Sequence, residues 1–235
     1  MKGRIHTDSM VHEFRLLRNR IESEIHSPAV LLVTSATDRD GAAVTAYGLA
    51  ESLSKTHQRT ALVTTAKAVV NSPQLLGPAT PVQHRRASDR LDGGAAKSPG
   101  GLSVVSISQE RLTTISRTNV SSLIEGLRAE HDYVVVDGGD LPANSFALLV
   151  ASSADAVLLT FLAGRQQTPH DRAMLDTLER AESKVLGVVM TDQEAIDHFE
   201  RREVQVENHQ LVPAKRVSHP IVQRLEVALN RALGK

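Results

Sequence analysis

The sequence predicts an α/β fold: a doubly wound, mostly parallel sheet with helices on both faces. Three observations lead there. Short apolar runs without polar alternation recur along the chain, as expected of strands buried on both faces. Segments with helical spacing of apolar residues separate them. The first run passes into the next helix through a polar loop ending at Gly41, and ligand sites in such folds lie in loops of this kind. A length of 235 residues suits one large domain.

The elements follow in order. Met10, Phe14, Leu17, Ile21 and Ile25 share one helical face, and Pro28 ends that helix. Residues 29–33 form an apolar run that closes on Thr34 and Ser35. The loop 36–41 leads into a helix over 42–55, and a second strand is expected at 60–64. Residues 71–101 are rich in Pro and Gly, carry Arg85 and Arg86, and read as a mobile insertion. Strands are expected at 102–107, 133–136, 156–161 and 185–190. Helices are expected at 121–130, 143–152 and 169–183, the last facing inward with Met174, Leu175, Leu178 and Ala181. A closing helix over 218–233 has Ile221, Leu225, Ala228, Leu229 and Ala232 as its apolar stripe. The expected organisation is an N-terminal helix over 1–28 and a single domain over 29–235.

Composition excludes several function classes. Lys plus Arg total 27 and Asp plus Glu total 27, so the formal net charge is zero and no general nucleic-acid field is expected. The absence of Cys removes disulfides, thiolate metal sites and thiol catalysis. Trp is absent and aromatic residues make up 3%, so base-stacking platforms are scarce. Ten His residues are scattered without metal-ligand spacing, and no metal site is expected.

The loop after the first strand holds the frame of a phosphate loop, G-x-x-x-x-G-K-[ST], without its chemistry. Gly41 stands at the second glycine. Ala42 occupies the Lys position and Ala43 that of the metal-binding hydroxyl. Asp38, Arg39 and Asp40 precede them. The two carboxylates can bind a cation or simply solvate a turn. Arg39 offers a replacement charge. The helix beginning near Ala42 can attract an anion through its free N–H groups.

Read as a whole, the chain resembles the cytoplasmic domain of bacterial tyrosine kinases of capsule and exopolysaccharide synthesis. These belong to the deviant-Walker P-loop ATPases. The family's opening helix reads E-x-F-R-x-L-R-x-N-I, and Phe14, Arg15, Leu17, Arg18 and Ile21 fit it in register. His12 and Arg20 replace the Glu and the Asn. The loop pattern V-T-S-P-x-P-G-E-G-K-S-T-T-A-x-N-L-A aligns on residues 33–50, matching Val33, Thr34, Ser35, Gly41, Thr45, Ala46, Leu49 and Ala50. The family's Asp-x-Asp pair falls on Thr64-Thr65-Ala66, so both carboxylates are absent. Its Y-D-x-V-I-I-D-T-P-P motif keeps the strand and Asp137 but has Gly138-Gly139 in place of T-P. Residues 154–159 match A-D-x-V-L-L, and residues 186–190 match L-G-x-V. Thr191 replaces the Asn that touches the adenine in the family.

The resemblance implies a P-loop NTPase-like domain from which catalytic groups are missing. Phosphoryl transfer needs positioning and charge neutralisation. Without the Lys, the hydroxyl and the acidic pair, Asp137 is the one inherited acidic candidate. It can hold a residual metal or satisfy loop N–H groups. No catalytic residue and no cofactor are expected, although weak nucleotide binding at the helix N-terminus stays open. The implied function is an accessory or regulatory binding subunit in polysaccharide synthesis and export, in the cytoplasm, peripheral to the inner membrane through a partner. Implied partners are the cytoplasmic part of a membrane chain-length or export protein, catalytic homologues, or further copies of the chain. Phe14, Arg15 and Arg18 are the interface candidates. Two alternatives stand beside this reading. One is an active ATPase or tyrosine kinase with relocated ligands drawn from Asp38, Arg39, Asp40 and Asp137. The other is a partition- or division-site-like positioning protein.

Overall fold

A computed structural model describes residues 2–56, 58–65, 82–86, 101–107, 112, 115–197, 199 and 227–228. Among the described residues the eight strands are β1 (Ala29–Ser35), β2 (Arg59–Thr64), β3 (Val82–Arg86), β4 (Gly101–Ser106), β5 (Tyr133–Asp140), β6 (Ala156–Leu162), β7 (Val185–Thr191) and β8 (Val227–Ala228). The helices are α1 (Lys2–Glu24), α2 (Ala42–Ser54), α3 (Arg117–Glu130), α4 (Ser145–Ala151) and α5 (Pro169–Arg180). One sheet contains all eight strands in the order β3-β4-β2-β5-β1-β6-β7-β8. Every pairing is parallel except that of β7 with β8. The doubly wound, mostly parallel α/β sheet is the predicted fold class.

β1 explains the architecture. It lies between β5 and β6, and all seven of its residues are buried. Successive side chains of a strand point to opposite faces. Ala29, Leu31 and Val33 accordingly pack on the side of α1 and α2. Val30 and Leu32 pack on the other side, with α3, α4 and α5. A strand with two apolar environments needs apolar residues at every position, which is why its sequence does not alternate.

α1 joins the first of these cores. Phe14, Leu17 and Ile21 are almost fully buried against α2. Burying each stabilises the contact by about 1.5–3 kcal/mol. Gly48 of α2 permits the approach: a Cβ there would lie 2.2 Å from Phe14 Cζ. Ser52 Oγ donates to Phe14 O at 3.2 Å, and Arg18 Nη1 donates to Ser52 O at 3.2 Å, so polar bonds flank the apolar contact.

Several boundaries differ from the sequence expectation. α3 begins at Arg117, because Ser116 accepts from Asn119 N and the Asn119 side chain accepts from Ser116 N. This reciprocal cap fixes the start four residues earlier. α4 begins at Ser145, where Asn144 Oδ1 accepts from the N–H groups of Phe146 and Ala147. β5 continues past Val136 to Asp140 through Gly138 and Gly139. Leu175, expected to face inward, is 41% exposed, while Met174 and Leu178 fill that face of α5. Val227–Ala228, within the expected closing helix, is instead a strand on β7. The free edge of β7 offers unpaired backbone groups that a short strand can satisfy. The remainder of that helix lies outside the described residues. So does most of the 71–101 segment, of which Val82–Arg86 pairs with β4.

Candidate functional site

The strands of the parallel sheet end together on one edge, and the candidate site is built there. β1 ends at Ser35, and a turn of 3₁₀ helix, Asp38–Asp40, connects it to α2 through Gly41. Gly41 has φ 76° and ψ 27°, the left-handed conformation that glycine adopts without strain. A Cβ there would also lie 2.9 Å from Thr191 Cγ2. Two requirements therefore select glycine at this position. Ser35 Oγ donates to Thr37 O, and Thr34 Oγ1 donates to Gly139 O, which ties the loop to the end of β5.

The candidate residues divide sharply. Asp38 and Arg39 are exposed, while Asp40 is fully buried. Asp40 is thus neither a solvated turn residue nor a free cation ligand. Its Oδ1 accepts from Arg165 Nε at 2.5 Å and from Leu162 N at 3.1 Å. Its Oδ2 accepts from Arg165 Nη2 at 2.8 Å and from Thr37 Oγ1 at 3.0 Å. The same guanidinium reaches Asp171 through Nη1 at 2.8 Å and Nη2 at 2.5 Å. Such two-pronged charge-assisted bonds are the strong class. The Asp171 carboxyl is held down to about 2 by its bonds from Arg165, helped by Thr168, and the Arg165 pKa is raised by the two carboxylates. Asp171 also accepts from Thr168 N, the cap of α5, where the helix dipole favours a negative charge.

Ala42 is buried in the first turn of α2, and Ala43 is partly buried beside it. Neither brings a polar side-chain atom to the loop. Thr191 Oγ1 donates to Asp40 O at 2.9 Å, linking the end of β7 to the loop.

Asp137 lies within β5, opposite Val33 of β1. Its Oδ2 accepts from Thr64 Oγ1 at 3.0 Å and its Oδ1 from Gly139 N at 3.1 Å. Burial pushes its pKa up, against the pull of these two bonds. Thr64, at the end of β2, thus serves as a hydrogen-bond donor to Asp137. Among the described residues, no group of three or more His, Asp or Glu side chains is placed to hold a metal ion.

The interface candidates on α1 are also divided. Phe14 is 1% exposed and is consumed by the contact with α2, so it presents no surface to a partner. Arg18 is partly buried and bound to Ser52 O and Asn19. Arg15 is exposed, and Leu16 beside it is 48% exposed.

Arg165, Asp171 and Thr191 are the residues that sequence reading missed as partners of the loop. Arg165 lies 125 positions from Asp40, and no local pattern announces that pairing. Thr168-Pro169-His170-Asp171 does carry a local signal, that of a helix cap.

No protein-family model matches the sequence, and no curated protein matches it. Solved structures do match. The kinase domain of the Escherichia coli tyrosine kinase ETK superposes with a TM-score of 0.59 at 20% identity, covering 77% of this chain and 75% of that one. The VpsO kinase domain gives a TM-score of 0.60 at 19% identity, covering 81% of this chain and 97% of that one. The BceF tyrosine kinase domain gives 0.56 at 20% identity, covering 77% and 76%. By these superpositions, the parallel α/β sheet of this chain has the fold of bacterial tyrosine kinase domains.

Proposed function

We propose that this chain is a catalytically degenerate relative of those kinase domains and acts by binding, as an accessory or regulatory subunit in exopolysaccharide or capsule synthesis and export. The observation that carries this reading is the engagement of Asp40 by Arg165 and of Arg165 by Asp171. In the loop where a nucleotide's phosphates would need cations, the buried charge is a carboxylate, and its counter-charge comes from the protein itself.

The residues present do not fit a magnesium nucleotide. Position 42 supplies no cation and position 43 no hydroxyl. Asp137 accepts from Thr64 and Gly139, and among the described residues no group of three acidic or His side chains is placed to hold a cation. The relocated set Asp38, Arg39, Asp40 and Asp137 is drawn apart, since Asp40 turns inward to Arg165 while Asp38 and Arg39 stay in solvent.

The polysaccharide setting, the cytoplasmic location and the membrane partner follow from the sequence resemblance and are part of the proposal. No described helix is long and apolar enough to cross a membrane, so attachment at a membrane through these residues would need a partner. Arg15 and Leu16 mark the exposed side of α1 for that contact.

Titration calorimetry with ATP and ADP, with and without magnesium, tests the reading. The expected result is no detectable heat from the folded protein. Micromolar, magnesium-dependent binding refutes it.

A further inference from the structure

Loops that join a strand to a helix at the carboxyl edge of a parallel sheet expose polar backbone, and a bound anion commonly orders them. This loop has a different device. Arg165 extends from the residues following β6 and lies between the loop and the start of α5. Its Nε and Nη2 bind the two oxygens of Asp40, and its Nη1 and Nη2 bind those of Asp171. Nη1 also donates to Gln166 O at 3.1 Å, and the guanidinium sits 5.0 Å from the centre of the Phe161 ring. The side chain is 17% exposed, and Asp40 is fully enclosed.

We propose that Arg165 is an internal substitute for a ligand: its guanidinium holds the β1–α2 loop in a single closed conformation that needs no nucleotide, phosphate or metal. The loop residue it holds is anchored on every side. Thr37 Oγ1 and Leu162 N bind the Asp40 carboxylate, and Thr191 Oγ1 binds the Asp40 carbonyl. The clamp therefore joins the loop, the end of β6, the end of β7 and the first turn of α5. One cation faces two carboxylates, and the remaining negative charge is met by Thr168 N and Thr168 Oγ1 at the α5 cap. Arg is suited to this task because its planar fork binds both carboxylates at once, whereas Lys offers a point charge. Such a clamp fixes one state of the loop instead of permitting two.

This inference deepens the accessory-subunit reading and rests on it for the claim that no ligand orders the loop. Hydrogen exchange of the whole chain, read without nucleotide, tests the clamp itself. The wild-type amides of Asp40 and Thr45, which donate to Thr37 O and Gly41 O, are expected to be protected. Arg165→Met is expected to raise their exchange at least about 10-fold, with the amides of α3 unchanged. Arg165→Lys is expected to fall between the two. Asp171→Asn, which removes one arm and leaves the Asp40 pair, is expected to give a smaller increase in the same residues and carries the test if Arg165→Met does not fold. Unchanged loop exchange in the folded variants, or a wild-type loop that exchanges freely, overturns the clamp. Calorimetric binding of nucleotide by the wild type would refute the accessory reading instead, and would leave these exchange differences as they are.

Discussion

Gly48→Ala tests the placement of α1, and with it the assignment of Phe14 to the core. The added Cβ would lie 2.2, 2.3 and 2.6 Å from three carbons of the Phe14 ring. Carbon atoms pack at about 3.5–4.0 Å, so ring or helix must retreat by more than about 1 Å. Phe14 is enclosed and has no free space to move into without disturbing Leu17 and Ile21. Overpacking of a core costs about 1–3 kcal/mol. Replacing Gly by Ala within a helix returns about 1 kcal/mol. With an overlap this deep, the upper end of the cost applies and the net loss is about 2 kcal/mol, or about 4–8 °C in Tm for a chain of this size. Gly126→Ala in α3 is the control, because nothing lies within 4 Å of its Cβ. It should stabilise by about 0.5–1 kcal/mol. Phe14→Leu combined with Gly48→Ala should lose less than the sum of the two single changes, by about 1 kcal/mol or more. Denaturant titration of the four variants measures all of these. A Gly48→Ala variant stabilised like Gly126→Ala would refute the close α1–α2 contact and return Phe14 to the list of partner-facing residues.

Two further outcomes follow from the charges at the carboxyl edge. Thr64→Asp would place a second carboxylate at a position whose hydroxyl is 3.0 Å from Asp137. Two enclosed carboxylates without a cation should destabilise the fold by about 3 kcal/mol at pH 7 and by less at pH 4, where one is protonated; equal loss at both pH values, in thermal melts, would contradict the arrangement. The Asp171 carboxyl sits at about 2 in the fold. Because a lowered carboxyl stabilises the fold above its unfolded value of about 3.9, that contribution is complete at neutral pH and drains away as pH falls from about 4 to 2. Tm measured across this window should fall more steeply for the wild type than for Asp171→Asn, and parallel curves would show that the Arg165 bond contributes nothing.

The sequence alone determined the class of fold and the core of the sheet. β1, β2, β5 and β6 are buried on both faces, and that environment demands continuous apolar residues that are visible without a structure. The buried stripe of α1 was legible for the same reason, since Phe14, Leu17 and Ile21 keep one helical face. Local chemistry also marked the loop: Gly41, Ala42 and Ala43 stand where the phosphate-loop pattern has Gly, Lys and a hydroxyl. What the tertiary structure decided is how the charges there are used. Asp38 and Asp40 are two positions apart and look alike in sequence, yet one stays in solvent and the other is fully buried. The difference comes from Arg165, which the parallel crossover brings to Asp40 from 125 positions away. Thr64 and Asp137 meet across 73 positions because β2 and β5 are neighbours in the sheet. Local patterns report the environment of a segment. The partner of a buried charge is set by which strands lie side by side, and only the assembled sheet contains that information.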